Sequence, residues 1–194
     1  MWSYHASSAT PQSNAGGGSG STVEHFTKGA RVLRELNGVP FKSYEPPSDW
    51  AEVAGQADID EPPMKPRGKK VSAGLIMSEP DGRVWIVKPA NEFGGYRYTF
   101  PKGGHEDGLS LQATAIKETF EESGLKGRIT SFAGDYEGDT SVTRYYHAVR
   151  EGGNPADHGW ESEGVSLVPK GKLNDFLNRS RDKKIVREQL ISED

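Results

Sequence analysis

The sequence predicts an α+β domain with helices layered on a mixed sheet, and three observations carry that expectation. Short alternating apolar stretches recur from residue 71 onward, each bounded by Gly, Pro, Asn or Asp. One longer segment, LQATAIKETFEES, has helical rather than alternating spacing. The chain then returns to strands and closes on amphipathic LNDFL and KIVREQLI, an order that suits helices packed on a sheet.

The elements follow in order. Residues 1–22, MWSYHASSATPQSNAGGGSGST, offer almost nothing to bury and are expected to form a mobile Ser/Gly-rich tail. Residues 23–69 carry prolines at 40, 46, 47, 62, 63 and 66, which forbid long helices and central strands. This stretch is expected to run as an extended arm anchored by Phe41 and Trp50. From residue 70 to 194 the domain proper is expected. VSAGLIMS and RVWIVKP read as a hairpin across the Asp-Gly turn in EPDGR, and YRYTF reads as a third strand ending at Pro101. GRITSFAGDYEG and SVTRYYHAVR read as two more strands turning at Asp139, with VSLVPK after the EGGNPADHG loop.

Composition narrows the function classes. With 194 residues and 33% hydrophobic content, the chain suits one domain plus appendages. Zero cysteines exclude a disulfide framework and thiolate metal sites. No secretory leader or span-length apolar run is visible, so a cytoplasmic protein without membrane contact is expected. A net charge of −4 argues against nucleic acid as partner, although KPRGKK (65–70) and RSRDKK (179–184) are local basic runs.

The helix carries the chemistry. Ser110 is a suitable N-cap and Gly124 a suitable residue past the C-terminus, giving a helix over 111–123. At 3.6 residues per turn, Ala113, Ile116 and Phe120 share an arc of about 60°, the expected buried stripe. Glu118, Glu121 and Glu122 occupy an arc of about 100° on the other side. Such a face is either a solvated surface or a cation site, because close carboxylates repel and a hard divalent ion with oxygen ligands relieves them. The preceding FPKGGHEDGLS turn, with glycines at 103, 104 and 108, lets the backbone approach a ligand.

GGHEDGLSLQATAIKETFEESGL resembles the Nudix box. Gly103, Glu118, Glu121, Glu122, Gly124 and Leu125 match its pattern; Leu109 stands where Glu is expected, Lys117 for Arg and Thr119 for an aliphatic. The resemblance implies a Nudix-type α/β/α sandwich over about 70–190, with the arm outside it. It also implies hydrolysis of a diphosphate linkage in a nucleoside diphosphate derivative: a sugar nucleotide, an ADP-ribose-like compound or a dinucleoside polyphosphate. Mg²⁺ or Mn²⁺ would be the cofactor. Glu121 and Glu122 would be metal ligands, Glu118 a ligand or the base, and the carbonyl of Lys102 a backbone ligand. Glu161 or Glu163 would supply a further acid from a later loop.

In the family the missing acid and the arginine brace the loop and helix, so Leu109 and Lys117 together alter a brace, with Glu106 as the substitute partner. Thr119 should be nearly neutral. Substrate contacts are expected from Arg97, Gly103, Gly104, Arg144 and Tyr146. Trp85, Phe132 and Trp160 are rival base-stackers, each expected in the core. His147 and His158 are expected to be structural or solvated. A catalytically silent nucleotide- or protein-binding module is the competing reading. The arm admits either a homodimer or a wrap around its own domain.

Overall fold

The computed structural model describes residues 19–191. Most of the Ser/Gly-rich stretch expected as a tail, residues 1–18, lies outside the described residues; residues 19–21 form a short 3₁₀ turn. Three strands come from the arm: β1 (Glu24–Phe26), β2 (Glu35–Leu36) and β3 (Val39–Pro40). Then follow β4 (Lys70–Ser78), β5 (Arg83–Pro89), β6 (Lys102–Gly104), α1 (Leu111–Ser123), β7 (Leu125–Glu137), β8 (Ser141–Gly153) and β9 (Ser162–Pro169). Short α2 (Leu173–Phe176) and α3 (Ser180–Ile185) close the fold, and α3 runs on into a π-helical turn over Val186–Leu190.

The main sheet runs β1-β9-β5-β4-β8-β7, with β6 beside the first half of β4. Among the described residues only β4 and β8 pair in parallel, Lys70↔Ser141 through Ser78↔Val149; the other ladders are antiparallel. The alternation of β4 splits the core into two layers. Leu75 and Met77 face α1 and the arm, together with Trp85, Ile116, Tyr146 and Leu167. Ile76 faces the other way and meets Phe100, Tyr145, Leu173, Ile185 and Val186. Helices thus cover both faces, as an α/β/α sandwich requires.

Two expectations need correction, and one is met narrowly. The β4–β5 hairpin forms across the Asp-Gly turn but keeps one register pair, Ser78↔Val84, while β6 pairs with the earlier part of β4 and the other edge of β5 pairs with β9. YRYTF does not form a strand. Only Thr99 bridges to Val87; its hydroxyl donates to the buried Asp182 carboxylate at 2.7 Å, and Phe100 turns into the core. The ladder beside β4 is taken by Lys102–Gly104 instead. Phe120 does not complete a buried stripe with Ala113 and Ile116. It is half-buried under Tyr44 and Trp50 of the arm, and Ala115 and Thr119 face inward in its place.

The arm wraps its own domain. β1 is the edge strand beside β9, and Phe26 and Phe41 pack with Trp85 at ring separations of 5.6 and 6.2 Å. An ion knot fixes it further: Glu79 accepts from Arg150 at 3.0 Å, from Trp85 Nε1 at 3.0 Å and from Asn37 at 3.1 Å. Arg150 in turn donates to the carbonyls of Leu36 and Val39. Among the described residues no helix is long and apolar enough to cross a membrane.

Removing one partner of a buried pair leaves the other charge without compensation. Glu79→Ala should therefore cost about 3–5 kcal/mol in urea unfolding. Asp139→Ala, which removes an exposed partner of Arg179, should cost less than about 1 kcal/mol.

Candidate active site

Local sequence chemistry places α1 against one face of the sheet. Ser110 Oγ accepts from the Ala113 amide at 3.0 Å, satisfying a helix-start N–H. Gly124 ends the helix with φ 74°, a left-handed turn that a side chain would strain, and β7 starts at the next residue. Small inward residues, Ala113 and Ala115, let the helix lie close to β4.

The glycine turn delivers the carboxylates. Glu118 lies over Gly103, where an added methyl group would stand 2.0 Å from its Oε2; only glycine leaves that room. Glu122 Oε2 accepts the Lys102 amide at 3.0 Å. Glu121 is exposed at the mouth. Burial, with Glu121 adding like charge, raises the Glu118 pKa to about 7. Burial also raises that of Glu122, opposed by the Lys102 ammonium and increased by the charges of Glu118 and Glu161. Glu121 is raised by burial too, with Lys117 opposing. Burial and the nearby Arg181 depress the pKa of Lys102.

The altered brace is charged all the same. Lys117 pairs with Glu106 and stands 3.8 Å from Glu121. Burial works against its charge, but Glu106, Glu121 and Glu118 hold its pKa above the ordinary value. Leu109 packs at the edge of the core in place of the acid, and its carbonyl meets His105 Nε2 at 2.7 Å. The Thr119 hydroxyl is fully buried with no partner among the described residues, a site shaped for an aliphatic group.

Of the later acids, Glu161 is the one whose charge reaches Glu118, Glu121 and Glu122. Glu163 instead accepts the Asn91 amide at 2.7 Å and lies 3.7 Å from Lys88. Arg144 and Tyr146 are not brought to the carboxylates. The β4–β8 register sets them opposite Ala73 and Leu75, on the face covered by α1 and the arm. Arg144 is spent on Asp135, with two contacts of 2.8 Å. Tyr145, one residue away, faces the opposite layer, where its hydroxyl accepts from Arg181. Arg97 is exposed, with its amide on Asn178 Oδ1 at 2.9 Å. Gly104 pairs with Ser72 at the end of β6. His147 meets Gln189, and His158 is buried in the loop behind α1.

Sequence reasoning missed the cations gathered on Tyr96, of which Lys102 reaches Glu122. Lys102 Nζ stands 4.6 Å from the Tyr96 ring centre, and the guanidinium carbons of Arg181 and Arg179 stand 5.3 and 5.4 Å from it. Arg181 donates to Tyr145 OH at 3.2 Å and to Asp182. The RSRDKK run was the available signal, but only tertiary packing of α3 onto the 95–99 segment brings it here.

The donor set fits a hard divalent cation in its chemistry: oxygen donors on one helix face, a strand backbone beside them, and carboxylates whose ionisation their own crowding resists. As the side chains stand, no three acidic or histidine groups close on a single point among the described residues.

A mixed sheet clasped by two helical layers, with a carboxylate-bearing helix rising from a glycine turn, is the Nudix architecture. A NUDIX domain model matches residues 68–189, and the chain belongs to that family. The RNA pyrophosphohydrolase of Caulobacter vibrioides (strain NA1000 / CB15N) is 32% identical over 68 residues, 35% of this chain and 37% of that protein. The aligned stretch thus spans little more than a third of that relative. A NUDIX hydrolase from Nitrosomonas europaea superposes with a TM-score of 0.55 at 12% identity, over 62% of this chain and 87% of that one. The MutT protein from Bacillus halodurans gives 0.54 at 17% identity, over 63% and 83%. Both likenesses show the fold.

The raised carboxylate has a signed consequence. The folded protein keeps a proton on Glu118 that the unfolded chain, at the ordinary value of 4.5, has already released. Its contribution to stability therefore falls as pH rises from 4.5 to about 7. In EDTA, the Tm of the wild type should fall across that window relative to Glu118→Gln, read by thermal unfolding at several pH values.

Proposed function

We propose that this protein is a divalent-metal-dependent pyrophosphohydrolase that cleaves a diphosphate linkage in a nucleoside diphosphate derivative. The observation that carries the reading is Glu118 and Glu122 wedged against Gly103 and Lys102, with the Lys102 ammonium acting on Glu122. Glu121 and Glu122, with the Lys102 carbonyl and Glu161, would hold Mg²⁺ or Mn²⁺, which would neutralise diphosphate oxygens and acidify water, leaving Glu118 as the base.

The chain's own groups do the rest. Lys102, with Arg179 and Arg181 around the same Tyr96 ring, would offer positive charge to phosphate oxygens. Arg97 lies on the segment that α3 packs against and can add to that charge. Tyr96 supplies the surface on which these cations are ordered. Water adds to one phosphorus, the bridging P–O bond breaks, and Glu118 takes the water's proton on a carboxylate oxygen. Lys117, held between Glu106 and Glu121, orients Glu121. That surviving brace supports catalysis over a silent binding module.

A second reading is removal of diphosphate from a triphosphorylated RNA end, favoured by the likeness to the Caulobacter RNA pyrophosphohydrolase. It also draws on the KPRGKK run. Lys70 from that run, with Ser72, His105, Thr140 and Ser141, lines an open cavity of about 480 Å³ next to β6.

Incubation with Mg²⁺ or Mn²⁺ and ADP-ribose, a UDP-sugar, diadenosine tetraphosphate and a triphosphorylated RNA oligonucleotide should give phosphomonoester ends from at least one of them. Glu121→Gln should cut turnover at least about a hundredfold, since charge stabilisation and water activation are lost together. Leu109→Ala should lower Tm more than turnover. Full activity in Glu121→Gln would remove the site assignment.

A further inference from the structure

The cavity next to β6 lies one ladder pair away from the arginine cluster. Alternation along β6 puts Lys102 and Gly104 on one face of the strand, opposite to Gly103 and the Glu118 carboxylate above it. Ser72 is the partner of Gly104 on one side and of Thr143 on the other. The Thr143 hydroxyl accepts from Arg181 at 3.4 Å, while Ser72 lines the cavity with Lys70, Gly104, Thr140 and Ser141. A single residue pair across the sheet thus joins the cavity to Arg181.

The lining has the chemistry of an anion seat. Its backbone is already satisfied where the walls meet: the Lys70 amide donates to the Thr140 carbonyl at 3.2 Å and the His105 amide to the Val71 carbonyl at 2.9 Å. Among the described residues no hydrogen bond engages the hydroxyls of Ser72, Thr140 or Ser141, and no carboxylate pairs with Lys70. Lys69 differs, since Glu137 and the Gly138 carbonyl each hold its ammonium at 2.8 Å. Gly104 keeps the floor open, for an added methyl group there would meet nothing within 4 Å.

We infer that this cavity is a subsite for a second phosphate, carried on the sugar of the substrate outside the diphosphate linkage. The inference rests on the pyrophosphohydrolase reading and narrows its substrate class. From Lys102, whose amide meets Glu122, to Gly104 the strand advances about 7 Å. The two phosphoryl groups of one diphosphate share an oxygen and sit closer together than that. A phosphate on a ribose hydroxyl lies across the ring and spans the gap. The substrate class is therefore a nucleoside 5′-diphosphate derivative that is also phosphorylated on its ribose, whether that phosphate is terminal or continues into an RNA chain. Lys70 supplies the charge and the hydroxyls supply neutral donors at fixed places.

Calorimetry with Mg²⁺ present compares α,β-methylene-ADP, whose P–C–P bridge resists hydrolysis, with the same compound bearing a 3′-phosphate. The added phosphate should tighten binding about tenfold, the size of one charge-assisted hydrogen bond. Lys70→Ala should abolish that gain and Lys70→Arg should keep most of it. Lys70 is exposed at the start of β4, so thermal unfolding should show both variants folded. A third ligand, with a second adenosine esterified to the 3′-phosphate, identifies the source: a retained gain assigns the subsite to an RNA chain, a lost one to a terminal phosphate. No gain in the wild type, or a gain that survives Lys70→Ala, overturns the subsite and leaves the diphosphate reading standing. Lys70-dependent binding of inorganic phosphate without any gain from the 3′-phosphate overturns it in favour of a free-anion site. If neither methylene compound binds, both readings fall.

Discussion

Carboxylates pressed against a strand edge and against each other resist being there, and everything around α1 answers that resistance. Glu118 and Glu122 lose hydration on folding and gain one backbone N–H, one distant ammonium and the space left by a glycine. Helix α1 is kept in that position by its contacts with β4 and the arm rather than by the glutamates. The inward alanines and Ile116 fit the sheet, the arm covers Phe120, and Gln112 exchanges two hydrogen bonds with the backbone of Ala57. Stability gained on one face of the helix sustains an unfavourable charge arrangement on the other. That division is what a catalytic helix needs, since groups relaxed by their own environment have less to gain from a ligand.

The arm is the less obvious contributor. It lies mostly outside the family match, which starts at residue 68, yet it provides an edge strand, three core residues and a carbonyl-lined seat for Arg150. Prolines keep it extended, and extension lets a chain with little core of its own cross several elements of the domain. It anchors the N-terminal end of α1 through Gln56 and Ser110, whose side chains meet at 2.6 Å.

Much of this was legible in the sequence, for local reasons. The helix limits follow from Ser110 and Gly124, and the run of strands follows from alternation and turn residues. The glutamate face follows from helical spacing alone. What was hidden depends on register and on distant segments. Alternation puts Tyr145 and Tyr146 on opposite faces of β8, but only pairing with β4 decides which face meets the carboxylates. Arg144 looked available because Asp135, its partner, lies on a neighbouring strand. Arg179 and Arg181 looked like solvated charge because nothing nearby in sequence needs them. YRYTF had strand-like residues, yet Asp182 claimed Thr99 from more than eighty positions away.

The way β4 divides its partners reaches beyond geometry. Its first half pairs with β6 and its last residue with β5, and the notch between them is roofed by residues 95–99 held to residues 178–182. During synthesis the helix and most of the sheet emerge well before the arginines that complete this notch. A ribosome-bound or C-terminally clipped chain could thus own a formed acidic face and still lack its counter-charges. Such a species would carry the family motif intact while lacking the two arginines that stand over Tyr96 beside Lys102.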